Sequence, residues 1–189
     1  GPAIQLILHD ITDRKQAERL LRESQADLKR AQAVAHTGSW RLDVRRNELV
    51  WSDETYRIFG IPHGTRLTYE TFMAAVLPED RAYVDGKWKA ALRGEPYDIE
   101  HRIVAEGRVK WVHETAELDF DAEGNLVGGF GTAQDITERK EFERQLRETR
   151  DYLENLFNCA NAPIIVWDPS FRITRFNPAF ERVTGRMAD

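Results

Sequence analysis

Cysteine is almost missing from this chain. Cys159 is the only one in 189 residues, so no intrachain disulfide can form, and a reducing, cytoplasmic setting is the expectation. Long apolar runs are missing too. Stretches such as Ile164-Ile165-Val166-Trp167 fall far short of the roughly 20 residues that cross a bilayer, so no membrane contact is expected of this segment. There is no surplus of positive charge. Lys and Arg number 27 against 32 Asp and Glu, a net charge of −5 with both signs interspersed, which leaves no basic footprint for nucleic acid. No glycine loop runs into Gly-Lys-Ser or Gly-Lys-Thr to cradle a phosphate. His113-Glu114-Thr115-Ala116-Glu117 begins like a zinc-binding helix but lacks the second histidine and reads as strand, so no metal site is assigned. Gly128-Gly129-Phe130 continues as Gly131-Thr132 rather than as a cyclase Gly-Gly-Asp-Glu-Phe signature, and no catalytic residue is assigned anywhere.

What is present is a soluble-type composition, 41% hydrophobic and 31% charged, suited to one full domain plus linkers. Two junctions punctuate it, Asp10-Ile11-Thr12 and Asp135-Ile136-Thr137, 125 residues apart. At each, a stretch that reads as strand hands over to a helical pattern. The threonine is a good helix N-cap, and Glu138 sits beside the positive end of the second helix. The register between the copies holds through Arg14, Lys15, Glu18, Arg19, Leu21, Arg22, Glu23 and Leu28, and again at Asp43 with Asp168 and Gly60 with Gly185. A period of this length is domain-sized and predicts a tandem array of similar domains joined by similar helices.

That repeat partitions the chain. Residues 1–9 read as the last strand of an upstream domain, 10–35 as a linker helix, 36–134 as a complete domain, 135–160 as a second linker helix, and 161–189 as the start of a further domain. The linkers carry apolar residues at heptad spacing. Leu21 and Leu28 mark the first seam, and Phe142, Leu146, Leu153 and Leu156 the second. About 24 residues give a rod of roughly 36 Å. Such a helix either packs on its own domain or pairs with a second copy; a homodimer is the expectation, parallel or antiparallel being undecided.

Within 36–134, Trp40, Leu42 and Val44 alternate along a first strand, and Leu49-Val50-Trp51 makes a second. Ser52 caps a short helix that turns Tyr56 and Phe59 inward and stops at Gly60. Thr68 starts another, with Phe72, Met73 and Val76. Pro78-Glu79-Asp80 opens a third, whose buried stripe is Val84, Trp88 and Leu92. Three strands follow: Tyr97, Ile99, His101 and Ile103 share one face of the first, Glu106-Gly107 turns into 109–118, and 121–125 turns into 126–134. Two strands, short helices, then three strands predict an α+β fold, a five-stranded antiparallel sheet with helices on one face. Trp51, Tyr56, Phe59, Phe72, Trp88 and Trp111 then form an aromatic interior, with His101 on the apolar face of its strand. They are the candidate ligand pocket, although plain core is the competing reading.

Several stretches together resemble the PAS superfamily of sensory domains, in the subclass with a Gly-x-Trp start. They are Gly38-Ser39-Trp40-Arg41-Leu42-Asp43, Trp51-Ser52-Asp53-Glu54, Leu77-Pro78-Glu79-Asp80-Arg81, Lys110-Trp111-Val112 and Gly131-Thr132 with Asp135-Ile136-Thr137. The resemblance implies a PAS fold and a sensory or relay module, or a structural dimerisation spacer. The parent would be a signalling protein such as a sensor histidine kinase or a cyclic-di-GMP enzyme. Its partners would be neighbouring PAS and output domains of the same chain. By the same match Asp135 tethers the last strand to the helix and Thr137 caps it, making Asp135, Thr137, Asp10 and Thr12 the signal-coupling residues. Haem-binding relatives offer a histidine from the long helix, and none stands between Glu79 and Gly94. Photosensing relatives place a cysteine inside the domain, and Cys159 lies in the linker. The cofactor is therefore unknown, with a non-covalent flavin or a small metabolite left open and haem disfavoured.

Overall fold

The computed structural model describes residues 12–46 and 48–185. The expected strand over 1–9 and the junction residue Asp10 lie outside the described residues. The chain divides between Thr137 and Glu138 into two units.

In the first unit α1 spans Thr12–Val34. Ion pairs four residues apart run along it, Arg14 with Glu18 at 2.9 Å and Arg19 with Glu23 at 2.8 Å, the spacing at which helical neighbours meet. The chain leaves α1 through His36, at φ 48, and enters β1 (Thr37–Asp43), which pairs antiparallel with β2 (Glu48–Trp51). Three helices follow: α2 (Asp53–Phe59), α3 (Tyr69–Ala75) and α4 (Arg81–Ala91). Two of their starts are set by hydroxyl caps, Ser52 accepting from the Thr55 N–H and Thr68 from the Thr71 N–H. Gly60 closes α2 at φ 65, a left-handed position that suits glycine.

Then come β3 (Tyr97–Ala105), β4 (Arg108–Phe120) and β5 (Leu126–Asp135). The β3–β4 turn uses Glu106 and Gly107 at φ 51 and 74. In the β4–β5 turn the Asp121 carboxylate accepts from the N–H groups of Asn125, at 2.7 Å, and Glu123, at 3.1 Å. The sheet is five-stranded and antiparallel throughout, as the sequence predicted, and its order is β2-β1-β5-β4-β3. Its inner face buries Tyr97, Ile99, His101, Ile103 and Ala105 from β3 with Val112 from β4; fully burying a side chain such as Ile103 contributes about 2 kcal/mol. The turn Pro78–Asp80 is clamped to β3, because Asp80 accepts from both the backbone N–H (2.8 Å) and the guanidinium of Arg102.

Three details differ from the sequence reading. Pro78–Asp80 is a separate 3-10 turn, so α4 begins only at Arg81, and Leu92 becomes its exposed C-cap instead of a buried stripe residue. Val44 falls beyond β1 and is exposed. In α2 the buried face is Glu54, Thr55, Ile58 and Phe59, which leaves Tyr56 only half-buried at its edge.

In the second unit α5 (Thr137–Cys159) leads to a two-stranded antiparallel ribbon, β6 (Ile165–Trp167) with β7 (Ile173–Phe176), and to α6 (Pro178–Thr184). Asn177 ties this unit together. Its Oδ1 accepts from Ile164 N–H at 2.8 Å and Phe180 N–H at 3.1 Å, and its Nδ2 donates to the carbonyls of Ala160 and Ala162. α5 has the same length as α1, 23 residues, and starts 125 positions after it, as β7 and α6 start 125 positions after β2 and α2. Leu21, Leu28, Phe142, Leu146, Leu153 and Leu156 are all exposed.

Candidate functional site

A cavity of about 110 Å³ lies between the sheet and its helices. Trp40, Leu42, Leu49 and Trp51 form its floor from β1 and β2. Thr55, Phe59, Tyr69, Phe72 and Trp88 cover it from α2, α3 and α4, and Tyr97 and Glu114 close it from β3 and β4. A missing side chain seats one of the rings that line it. Gly131 faces inward beneath Trp40, and a Cβ there would stand 2.4 Å from the indole ring and 2.5 Å from the Thr115 carbonyl. The indole of Trp40 then reaches across β5 and meets the Trp88 ring edge-on, centroids 6.3 Å apart.

One end of the cavity is polar. Glu114 is its only charged lining residue and is 5% exposed through its side chain. Tyr97 donates its hydroxyl proton to Glu114 Oε2 at 3.2 Å. Burial first, and the Glu114 carboxylate second, push the Tyr97 phenol well above its ordinary range, so it stays protonated. His101 Nε2 lies 3.3 Å from the same oxygen, yet it is buried without a hydrogen bond, because the contact has the distance of one and not the alignment.

The second notable site is the junction after β5. Asp135 Oδ1 accepts from Thr137 N–H at 3.0 Å and from the Thr137 hydroxyl at 2.6 Å. That hydroxyl in turn accepts from Trp111 N–H on β4 at 3.0 Å, and Ile136 N–H donates to the Trp111 carbonyl at 2.9 Å. Lys110 Nζ stands 3.6 Å from Asp135 Oδ2 and donates to the Ile58 carbonyl of α2. Asp135 N–H donates to the carbonyl of His36, where α1 ends. Thr137 therefore does not act as the cap that the sequence suggested. It is the first helical residue of α5, its hydroxyl is committed to β4, and the Asp135 carboxylate takes the helix's free N–H instead.

Residues 48–133 match the family model for the PAS fold. This domain has the PAS fold. A sensory box histidine kinase/response regulator from Burkholderia thailandensis E264 has a similar structure, 26% identical with a TM-score of 0.56, the match covering 68% of this chain and 98% of that one. In sequence, the chain is 37% identical over 111 residues to a blue-light-activated histidine kinase of Brucella ovis, covering 58% of this chain and 22% of that protein. It is 22% identical over 179 residues to the probable diguanylate cyclase DgcE of Escherichia coli K12, covering 94% of this chain and 16% of that protein. The chain thus spans less than a third of the length of the curated relatives it matches.

In the PAS domain the predicted pocket residues divide. Trp51, Phe59, Phe72 and Trp88 do line the cavity. Tyr56 does not; it packs between the rings of Trp51 (5.5 Å) and His63 (4.3 Å). His101 sits behind the lining, edge-on to Phe72 at 6.0 Å. Trp111 is on the other face of the sheet, since its neighbour Val112 points inward, and the Arg102 guanidinium lies 5.7 Å over its ring. Sequence reasoning missed Trp40, Leu42, Leu49, Thr55, Tyr69, Tyr97 and Glu114 as lining residues. The signal for Glu114 was available, because alternation along β4 puts it on the face of Val112. Of the coupling residues, Asp135 and Thr137 are brought together, Thr12 opens α1, and Asp10 is outside the described residues.

The cavity also bears on cofactors. A cavity of about 150 Å³ admits one benzene. A three-ring flavin is larger than this space, and among the described residues no histidine lines it. Among the described residues no cluster of three His, Cys, Asp or Glu could hold a metal ion, and no helix is long and apolar enough to cross a membrane.

Proposed function

We propose that this chain is a segment of a multidomain signalling protein in which the PAS domain senses or relays a stimulus and α5 carries it onward. The observation that carries this reading is the junction. β4 presents Glu114 to the cavity, and three residues earlier its Trp111 amide holds the Thr137 hydroxyl at the first residue of α5. A ligand that shifts β4 therefore acts on the helix start through a short chain of hydrogen bonds. Because Asp135 also holds the His36 carbonyl, the end of α1 and the start of α5 are fixed at one place. Input and output then share one two-state element, which a relay needs.

The same reading takes the Gly-x-Trp subclass and a tandem array as its context. It is supported by the match in element bounds at 125-residue spacing and by Asn177 capping α6 as Ser52 caps α2. The kinase and cyclase relatives suggest the parent, a sensor kinase or a cyclic-dinucleotide enzyme, and the single cysteine suits a cytoplasmic place for this segment. Exposed Leu21, Leu28, Phe142, Leu146, Leu153 and Leu156 would be covered in a homodimer through the linker helices. The test is Asp135→Ala in the full-length protein. Altered regulation of the output with the protein still folded supports the relay; unaltered regulation leaves a dimerising spacer as the better account.

A further inference from the structure

The polar end of the cavity holds a buried carboxyl group with one oxygen unused. Glu114 is buried, and among the described residues no Lys or Arg lines the cavity. Its Oε2 takes the Tyr97 proton, and no hydrogen bond reaches Oε1 among the described residues. The one basic group beside it, His101, is turned so that its buried Nε2 makes no hydrogen bond. The rings of Trp40, Trp51, Tyr69 and Trp88 line the same cavity. A carboxylate with one phenol donor keeps free acceptor capacity on Oε1, and aromatic rings attract positive charge.

We propose that the cavity takes a small organic cation, an alkylammonium or guanidinium ion, with Glu114 as its counter-ion. This rests on the sensory reading above and gives it a ligand class. The cation places an N–H on Oε1 and its alkyl or planar body among the indoles. At 110 Å³ the cavity limits the ligand to benzene size or less, about six heavy atoms. A ligand that small reaches at best about micromolar affinity. Anions are repelled by Glu114. Uncharged ligands of the same shape bring no positive charge to the carboxylate or to the surrounding rings, which selects against them.

The experiment titrates the 189-residue chain with methylguanidinium, trimethylammonium and tetramethylammonium. tert-Butanol serves as the uncharged control of the same size, acetate as the anion, and sodium chloride as the control for ionic strength. Indole N–H resonances of Trp40 and Trp88 report occupancy. The cations are expected to saturate, with methylguanidinium and trimethylammonium tighter than tetramethylammonium, which has no N–H for Oε1. Glu114→Gln, nearly the same shape, is expected to weaken them about tenfold or more. Trp88→Leu, which keeps the carboxylate and removes a π-face, weakens tetramethylammonium in particular and serves should the first variant fail to fold. tert-Butanol binding as well as tetramethylammonium, affinity unchanged in folded Glu114→Gln, or no saturation by any cation overturns the proposal. The two readings fail separately. Glu114-dependent binding that leaves the Thr137 amide unmoved keeps the cation site and removes the relay. Absence of binding alongside altered output in full-length Asp135→Ala does the reverse.

Discussion

Removing the Asp135 carboxylate should loosen the start of α5 by a predictable amount. Its Oδ1 holds two donors of Thr137, the N–H at 3.0 Å and the hydroxyl at 2.6 Å, and the side chain is only a quarter exposed. Hydrogen bonds to a charged acceptor contribute about 1.5–3 kcal/mol each. The freed N–H is in a first helical turn where water can reach it, so we expect Asp135→Ala to cost about 2 kcal/mol in total. Thr137→Val should also cost about 2 kcal/mol, since it strands the Trp111 N–H as well as emptying Asp135. The two losses share one bond, so the double variant should fall about 1 kcal/mol short of their sum. Urea unfolding followed by tryptophan fluorescence measures this. Trp40, Trp51, Trp88 and Trp111 report on the PAS domain, and a Trp167→Phe background removes the signal of the second unit. Losses below about 0.5 kcal/mol each, or strict additivity, would refute the shared network.

Four further outcomes are expected. Gly131→Ala should destabilise by about 2–3 kcal/mol, because the new methyl meets the Trp40 ring and a backbone carbonyl at once, whereas Gly86→Ala, in α4 with nothing within 4 Å, should stabilise by about 0.5–1 kcal/mol; urea midpoints decide both. Hydrogen bonding from the Arg102 guanidinium holds the Asp80 carboxyl below its usual range. A lowered folded pKa means stability that is complete above the ordinary value of 3.8 and lost as pH falls through the folded value, so Asp80→Asn should flatten the acid limb of the stability–pH curve below about pH 4. Asn177→Ala should cost the second unit about 2–3 kcal/mol by breaking up four hydrogen bonds at a buried site, read as loss of amide protection at Ile164 and Phe180. Leu146→Lys with Leu153→Lys should abolish any concentration-dependent association of the chain in sedimentation, since both residues are exposed at the proposed seam.

The sheet was legible because its signals are local and repeated. β3 alternates cleanly, with Tyr97, Ile99, His101 and Ile103 all buried, and the turns at Glu106-Gly107 and 121–125 need residues that the sequence visibly supplies. Helix caps at Ser52 and Thr68 were legible for the same reason. The cavity was only partly so. Its shape depends on what β5 lacks at Gly131, and a missing Cβ says nothing until the indole above it is placed. Counting aromatics as interior also misplaced Trp111, whose ring is covered by Arg102 on the far face. Glu114 was set aside with a failed zinc pattern, while strand alternation puts it on the inner face. Thr137 shows a different limit: a hydroxyl beside a helix start reads as a cap, and only the tertiary approach of β4 shows that it is used elsewhere.

The central claim is that the cavity and the start of α5 are mechanically one system. Amide hydrogen exchange at Trp111 and Thr137 tests it most directly, compared between the native chain and Leu49→Phe, which fills the cavity from its floor. The account predicts that exchange at both amides changes by about tenfold or more along with that of Tyr97 and Glu114. A change confined to Tyr97 and Glu114, with Trp111 and Thr137 exchanging as before, would contradict it.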